Sequence, residues 1–169
     1  MAEPLTTPRE FLAACLRQML WIEQQLAEKV LPELSERARS PDLKRRFDRH
    51  QLETKGHVRT VRDVLADLRL PAEPEESPAF RGLVVEHEKL AGRCESPVMC
   101  DLAHAVAALA AEHLEIATYE ALASVAESAG EEEIGIRLRE VLEQEEFALE
   151  QVEGAMAKLL AEKVESELL

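Results

Sequence analysis

The sequence has 169 residues, enough for one domain with a buried core. Its 34 acidic against 20 basic residues give a formal charge of −14, which argues against nucleic acid or an anionic membrane surface as a partner because both would repel the chain. Six glycines and one tyrosine, beside abundant Ala, Leu and Glu, are typical of an all-α protein.

The beginning of the sequence does not predict a secretory signal. The stretch MAEPLTTPREF lacks a basic region followed by an apolar core, and no uncharged apolar run is long enough to span a bilayer. The three cysteines, Cys15, Cys94 and Cys100, are too sparse for a disulfide framework, and we interpret them as small core or surface residues. We therefore expect a cytoplasmic protein.

Two helix starts of the same kind occur in the first half of the chain. In TTPRE, Thr7 is an N-cap, Pro8 takes the first helical position and Glu10 completes a capping box. The stretch RSPDL repeats the pattern of a capping hydroxyl followed by proline. These signals predict long helices over residues 8–38 and 41–70.

The second half of the chain begins after the linker PAEPEESP, whose prolines break the helical pattern. A short amphipathic helix is predicted at 79–92, and its apolar stripe must cover the bundle or a second subunit; covering its own bundle is the favoured interpretation. The stretch ESPVM caps a helix predicted at 97–128, and the turn SAGEEE leads to the last one at 131–165.

The lengths of the connections predict how these helices pack. Tight turns join the first long helix to the second and the third to the fourth, so each pair forms an antiparallel hairpin. The long link between the pairs allows one crossover. We predict a single domain over residues 1–169, an up-down four-helix bundle of the ferritin-like type with a short extra helix in the crossover.

Glutamates with apolar neighbours at helical spacing are candidates for a functional site. Glu23 has Met19 and Leu20 one turn before it and Leu26 and Ala27 one turn after it, so its carboxylate lies on the core face. A buried charge costs several kcal/mol, on the order of a whole core substitution, unless it is paired or binds a metal. Similar apolar surroundings are found at Glu112, Glu115 and Glu145.

The stretch HQLETKGH supplies the second helix with an inward polar face. His50, Glu53 and His57 share a stripe with Val61 and Val64. The offset between the inward glutamates of the first two long helices equals that of the last two, so the hairpins bring four carboxylates to one level. Such a cluster is repulsive unless cations hold it, and Glu and His donors suit iron, manganese or zinc.

Four stretches resemble one family: WIEQQLAEKVLPEL, SPDLKRRFDRHQLETKGHV, AAEHLEIATYEAL and LEQEEFALEQV. They are similar to the YciE/YciF-type ferritin-like family of bacterial stress-associated proteins, over the chain from about Thr7 to Lys163. The resemblance implies a four-helix bundle, often dimeric, with a di-metal carboxylate centre. The biochemical activity of that family is poorly defined, so the resemblance implies no reaction.

The sequence departs from the wider ferritin-like pattern, in which Glu-x-x-His comes from each of two helices. His57 follows Glu53 by four positions, with Gly56 at the third, and the fourth helix has no histidine after Glu145. Glu112 can replace the missing histidine and give a carboxylate-rich, asymmetric site. Weak binding or a single ion is the alternative interpretation.

Two metal ions, iron or manganese with zinc as a further option, are the predicted cofactors. Glu53 and Glu145 are the predicted bridging ligands, and Glu23, Glu115 and His57 the terminal ones. The complete set of candidate ligands is Glu23, Glu53, His57, Glu112, Glu115 and Glu145.

Other polar residues are given smaller roles. His50 is interpreted as a partner that orients a carboxylate or closes the polar network. Tyr119 is either a redox-active neighbour or a buried hydroxyl with its hydrogen bond made, and the second is favoured. His113 faces away from Glu112's side of the helix, and His87 and His104 show no evident partners.

Three hypotheses about function follow from this site. The first is a small oxidase, peroxidase or catalase-like protein that acts on oxygen species and receives electrons from a separate protein, since the chain has no Cys-x-x-Cys pair. The second is a metal-binding or storage protein without turnover. The third is a metal-free structural or interaction bundle. The family resemblance adds the expectation of a homodimer.

Overall fold

The computed structural model describes the backbone of residues 4–167 and the side chains of residues 4–161. That part of the chain is helical and contains no β-strand, so the predicted all-α class is confirmed. In chain order the elements are α1 (Pro8–Gln25), a π-helical segment (Leu26–Val30), α2 (Leu31–Arg37), α3 (Pro41–Asp67), α4 (Pro78–Ala91), α5 (Pro97–Ser128) and α6 (Glu132–Glu167).

A hydroxyl followed by proline starts four of these helices. Thr7 caps α1, and Glu10 bonds back to the cap, which completes the predicted capping box. Ser40, Ser77 and Ser96 cap α3, α4 and α5 in the same way, each hydroxyl accepting a bond from a backbone N–H of the first turn. The first position of a helix needs no N–H donor, so proline is favourable there. Each pair of hydroxyl residue and proline therefore marks a helix start.

The first long helix departs from the uninterrupted helix predicted over 8–38. Its middle is the π-helical segment Leu26–Val30, where Leu31 N–H donates to the carbonyl of Leu26, five residues back. Pro32 is the physical reason, since it has no N–H and its ring clashes with the carbonyl four residues before it. The extra residue in the turn absorbs that conflict without ending the helix.

The π-helical segment also connects to the neighbouring helix. Because Leu31 N–H is bonded to Leu26, the carbonyl of Ala27 has lost its usual helical donor. It accepts a hydrogen bond from Gln51 Nε2 of α3 at 2.8 Å instead. A side chain one residue from His50 is therefore anchored on the first helix.

One core runs through all the helices. α5 packs along α6, α3 packs against α1, α2 and α6, and α1 also contacts α5. α4 lies on α5, where Phe80 is buried and meets Trp21 edge to face at 6.1 Å between ring centroids. Large fully buried side chains from the long helices fill the centre: Leu16, Phe47, Leu65, Leu122 and Leu138.

The apolar stripe predicted on α4 turns only partly inward. Phe80 is buried and Leu83 and Val84 are half-buried against the bundle, whereas Leu90 is exposed. None of the helices within residues 4–167 is both long enough and apolar enough to cross a membrane. The three cysteines, all in the described part of the chain, are free thiols.

Candidate metal centre

Helical periodicity brings six ionisable side chains together in the core. On α3, His50 and His57 lie two turns apart on the inward face with Thr54 between them, and on α5 Glu112 and Glu115 lie one turn apart. One residue of α1 and one of α6 complete the set, and all are buried. The six are Glu23, His50, His57, Glu112, Glu115 and Glu145.

The first group of donors surrounds the ring of His50. Its other members are Glu112, Glu115 and Glu145, and one donor atom from each of the four lies within 4.8 Å of the others. His50 Nε2 is 3.2 Å from Glu112 Oε1 and 3.6 Å from Glu145 Oε2. Three carboxylates and one imidazole thus face a common point.

The second group lies beside the first and shares one residue with it. His57 Nδ1 is 2.8 Å from Glu145 Oε1 and 3.5 Å from Glu23 Oε2, and the three donor atoms again lie within 4.8 Å of one another. Glu145 therefore turns one oxygen toward His57 and the other toward His50. A single carboxylate joins the two groups.

Most donor atoms of these groups lack hydrogen-bond partners. Among the side chains of residues 4–161, nine buried N and O atoms of the six residues make no well-aligned hydrogen bond, including both oxygens of Glu115 and of Glu145 and both ring nitrogens of His50, although His50 and His57 lie close to carboxylate oxygens. Buried polar atoms are nearly always partnered in folded proteins, and leaving one unpartnered costs about 1–3 kcal/mol. So many unpartnered atoms at one place favour a site that binds a ligand.

Burial acts on the carboxyl groups of the centre. Burial, together with the charges of Glu145, Glu23 and Glu112, raises the pKa of Glu115 well above its usual value. Burial also raises the pKa of Glu23, although His57 and Tyr119 oppose that shift. Without a cation, burial therefore favours the protonated form of these two carboxyl groups.

Burial has the opposite effect on the two imidazoles, but the nearby carboxylates outweigh it. Burial alone would lower the pKa of His57, but the carboxylates of Glu145 and Glu23 outweigh it and raise the pKa to about 10. Burial is likewise outweighed at His50, whose pKa the carboxylates of Glu112 and its neighbours raise well above the usual value. Both rings attract protons strongly while no metal competes for them.

Two neighbouring side chains fix the orientation of two donors, and a third bonds to the backbone at His50. The Tyr119 hydroxyl donates to Glu23 Oε1, and burial and the nearby carboxylates raise the pKa of Tyr119 well above its usual value. Gln144 Oε1 lies 3.1 Å from His57 Nε2. When that nitrogen donates to Gln144, the neutral ring turns the lone pair of Nδ1 toward the centre, as a metal ligand requires. Thr54 bonds back to the carbonyl of His50 at 2.8 Å.

Comparison with known proteins identifies the family. Residues 7–165 match the family described as Domain of unknown function (DUF892). The chain belongs to the DUF892 family. Protein YciF of Escherichia coli (strain K12) is 31% identical to this DUF892 chain over 124 residues, which cover 73% of this chain and 74% of YciF.

Solved structures agree with this assignment to the YciF-type DUF892 family. The crystal structure of the E. coli stress protein YciF matches with a TM-score of 0.87 and 25% identity, covering 93% of this chain and 99% of that one. YcfI from Rhodopseudomonas palustris matches with a TM-score of 0.86 and 29% identity, covering 90% of this chain and 97% of that one.

The structure places the candidate ligands of this DUF892 chain unequally. Glu23, Glu112, Glu115, Glu145 and His57 all meet in the buried centre. Glu53, the remaining candidate, lies at the edge of the centre. Its side chain is 25% exposed, and it belongs to neither donor group. The four carboxylates of the two donor groups are therefore those of Glu23, Glu112, Glu115 and Glu145, with Glu112 in the place predicted for Glu53.

The histidines also differ from their sequence-based interpretation. His50 is a member of the first donor group, and its seven-residue separation from His57 is the signal that could have found it. His113 is exposed, as its helical position predicts. The prediction that His87 and His104 have no partner is wrong: His87 Nε2 lies 2.9 Å from His104 Nδ1.

The donor set of this DUF892 chain fits divalent metal ions. Carboxylate oxygens and imidazole nitrogens suit iron, manganese and zinc, and thiolate ligands are not part of either group. The unpartnered atoms face one another, and His57 and Glu23 are already oriented by further hydrogen bonds. The two buried groups can therefore hold metal ions.

Proposed function

We propose that this chain is a ferritin-like di-metal carboxylate protein that binds two iron or manganese ions and acts on oxygen or peroxide during stress. The observation that carries the proposal is the position of Glu145, whose two oxygens face two separate groups of buried donors. A carboxylate in that position can bridge two ions, as in other di-metal carboxylate bundles.

The charge balance of the centre is compatible with two divalent ions. The two groups together contain four carboxylates and two imidazoles. Two divalent cations neutralise four carboxylates and leave both imidazoles in the neutral form that binds metals. Protonated imidazoles alone neutralise only two of the four carboxylates.

Helix packing supports the ferritin-like arrangement. The α1–α2 helix packs against α3 and joins it through residues 38–40, and α5 packs against α6 and joins it through residues 129–131. The long connection between α3 and α5 carries α4. These contacts fit two antiparallel hairpins with one crossover between them.

Two redox-active ions that share a carboxylate would supply the electrons for oxygen or peroxide chemistry. The protein's own contribution is to hold the donors: Tyr119 fixes Glu23, and Gln144 fixes the ring of His57. A similar protein, YciF, is described as a stress protein, which supports a role in stress. The sequence has no Cys-x-x-Cys pair, so the electron donor in this proposal is a separate protein.

A metal-free structural bundle is the second candidate, and one set of contacts favours it. His57 Nδ1 lies 2.8 Å from Glu145, and Tyr119 donates to Glu23, so the second group can partly neutralise itself. In that case the centre would be a buried polar network that fixes how the helices pack. A storage protein would instead bind ions without turnover.

Elemental analysis by plasma mass spectrometry tests the proposal. Untagged protein is reconstituted separately with iron, manganese and zinc, beside a Glu145→Ala variant and a Glu146→Ala control at an exposed position on the same helix. We expect about two ions per chain in the wild type and the control. The Glu145→Ala variant should lose both ions because each group loses a donor.

The outcomes separate the three candidates. Absence of bound metal in the wild type would leave the metal-free bundle. Two ions per chain without consumption of oxygen or peroxide would favour metal binding without turnover. Two ions that are lost in Glu145→Ala and retained in the control, with consumption of oxygen or peroxide, would support the proposed function.

A further inference from the structure

Glu53 occupies a different position from the buried donors. Its side chain is 25% exposed, whereas those of His50 and Glu112 are 7% and 3% exposed. It nevertheless lies one turn from His50 on the same helix, and its Oε2 is 3.8 Å from His50 Nδ1. Glu53 thus stands between solvent and the first donor group.

Two cavities meet at this residue. A pocket of about 150 Å³, itself partly open to solvent and also lined by Arg45 and Arg46, extends past Glu53 to His50 and Glu112. An outer depression of about 420 Å³ opens to solvent on the other side of Glu53. The two share Arg49, Glu53 and Phe147, so these three side chains form the boundary between them. One path from the surface to the first donor group therefore runs past Glu53.

The outer depression has the charge of a cation-collecting surface. Glu53, Glu140 and Glu143 line it, with Arg49 as the one basic side chain, in a chain whose formal charge is −14. Carboxylates in a concave surface raise the local concentration of cations and their rate of arrival. A divalent ion is therefore drawn to this opening.

The other cavity that reaches Glu112 is unsuited to a hydrated ion. It lies between α2, α4 and α5, has a volume of about 40 Å³, and its inner wall is made mostly of apolar side chains such as Leu31, Val84 and Ala108. An ion that sheds water there would find few oxygen atoms to replace it, which is costly. Of the two cavities that reach Glu112, the polar one at Glu53 is the better route.

Arg49 holds Glu53 in its present position. Its Nε donates to Glu53 Oε1 at 2.9 Å, and its guanidinium lies 5.1 Å from the ring centroid of Phe147. The ion pair is largely exposed on the arginine side, so it is weak enough to open readily. On the inner side, His50 Nδ1 makes no hydrogen bond within the described side chains and faces Glu53.

We propose that Glu53 is the admission residue of the metal centre: it captures divalent cations at the acidic opening and transfers them to the buried donors, while its ion pair with Arg49 closes the opening at rest. The inference rests on the proposed function, since it assumes that the buried groups bind metal. It differs from the interpretation of Glu53 as a bridging ligand, because an admission residue changes the rate of uptake and a ligand changes the number of ions held.

Uptake of Co²⁺ by the metal-free protein, followed by stopped-flow visible absorbance, tests this role. The end-point number of ions is measured by plasma mass spectrometry on the same samples. The variants are Glu53→Gln and Arg49→Gln. Their controls are Glu86→Gln on α4 and Arg62→Gln on α3, which remove the same charges at exposed positions outside the two cavities.

We expect uptake to be about tenfold slower in Glu53→Gln, with the wild-type number of ions at the end point. Arg49→Gln should take up Co²⁺ several-fold faster than Arg62→Gln, because the carboxylate of Glu53 no longer pairs with Arg49. Far-ultraviolet circular dichroism and thermal unfolding of each variant verify that the fold is intact. Since the two variants are expected to change the rate in opposite directions, misfolding cannot produce the whole result.

Two results would overturn the inference while the proposed function stands. A reduced number of ions in Glu53→Gln would make this residue a resident ligand, and an unchanged rate would place the route elsewhere. If the wild type takes up no Co²⁺, iron or manganese, the proposed function and this inference both fail.

Discussion

Two pairs of histidines lie in contact inside this protein, and their neighbours give them opposite properties. His50 and His57, with ring centroids 6.5 Å apart, lie among carboxylates that raise the pKa of both rings against the effect of burial. His87 and His104, 5.1 Å apart, bond to each other, and burial and the charge of Arg37 contribute to lowering the pKa of both. Three of the rings are buried and that of His87 is half-buried, so the neighbouring charges decide in which direction the pKa of each imidazole moves.

The largest expected effect comes from removing one member of the first pair. In the metal-free protein, His57→Leu leaves Glu23 and Glu145 without their cationic neighbour, and breaking a buried ion pair costs about 3–5 kcal/mol. Urea unfolding at neutral pH measures this cost, with His113→Leu as the control at an exposed histidine. A loss below about 1 kcal/mol, the typical value of an exposed ion pair, would mean that the carboxylates are already protonated.

The pH dependence of stability should distinguish the two pairs by sign. The pKa of His57 is raised from 6.5 to about 10, so the metal-free folded state keeps a proton that the unfolded chain releases. This stabilisation is complete below pH 6.5 and is lost as the pH rises toward about 10, by at most about 1.4 kcal/mol per pH unit. The slope should become smaller in His57→Leu, and the part that remains comes from His50, whose raised pKa acts in the same direction.

For the second pair the direction is reversed. The pKa values of His87 and His104 are lowered from 6.5, so the unfolded chain takes up protons first as the pH falls. Their contribution to stability is present above pH 6.5 and is lost as the pH falls below it toward the folded values. Chemical unfolding of the wild type and of His104→Leu across this range compares the two. An acid-side slope that His104→Leu leaves unchanged would contradict the assignment.

The smallest expected effect is the loss of the second pair itself. His104→Ala removes one hydrogen bond, and the half-buried His87 can turn to water, so the free energy of unfolding should fall by about 1 kcal/mol. Urea unfolding at neutral pH measures it beside His57→Leu. Equal losses at the two pairs would remove the contrast between them.

The helical framework was predictable because its signals are local. A capping hydroxyl with a following proline is read from two adjacent residues, and it places the starts of α1, α3 and α5 at Pro8, Pro41 and Pro97. The π-helical segment was not predicted. The conflict at Pro32 is visible in the sequence, but whether a helix ends, kinks or widens there depends on what packs beside it.

The candidate centre was predictable only where a residue lies in the middle of an inward face. Glu23, Glu115 and Glu145 have apolar neighbours on both sides along the helix, and they are fully buried. His50 and Glu53 are three residues apart and share one edge of α3, so periodicity alone could not separate a buried donor from a rim residue. That distinction depends on how the neighbouring helices pack against α3.

The pairing of His87 with His104 shows the same limit over a longer distance. The first lies on α4 and the second on α5, separated by a turn whose geometry the sequence does not specify. Their contact depends on the angle at which α4 lies on α5. A tertiary contact between two irregularly connected helices leaves no periodic signal in the sequence.

The π-helical segment makes the first long helix sensitive to its length. One additional residue in the turn Leu26–Val30 offsets the buried positions of α2 from those of α1, so that Leu31 and Leu34 point into the core. A single-residue deletion in this turn would leave the helix continuous but would rotate α2 by about 100°, the angle that one residue spans in a helix. The same deletion would withdraw the carbonyl of Ala27 from Gln51. The extra residue of this turn is therefore required for the packing of α2, and its deletion would disrupt that packing.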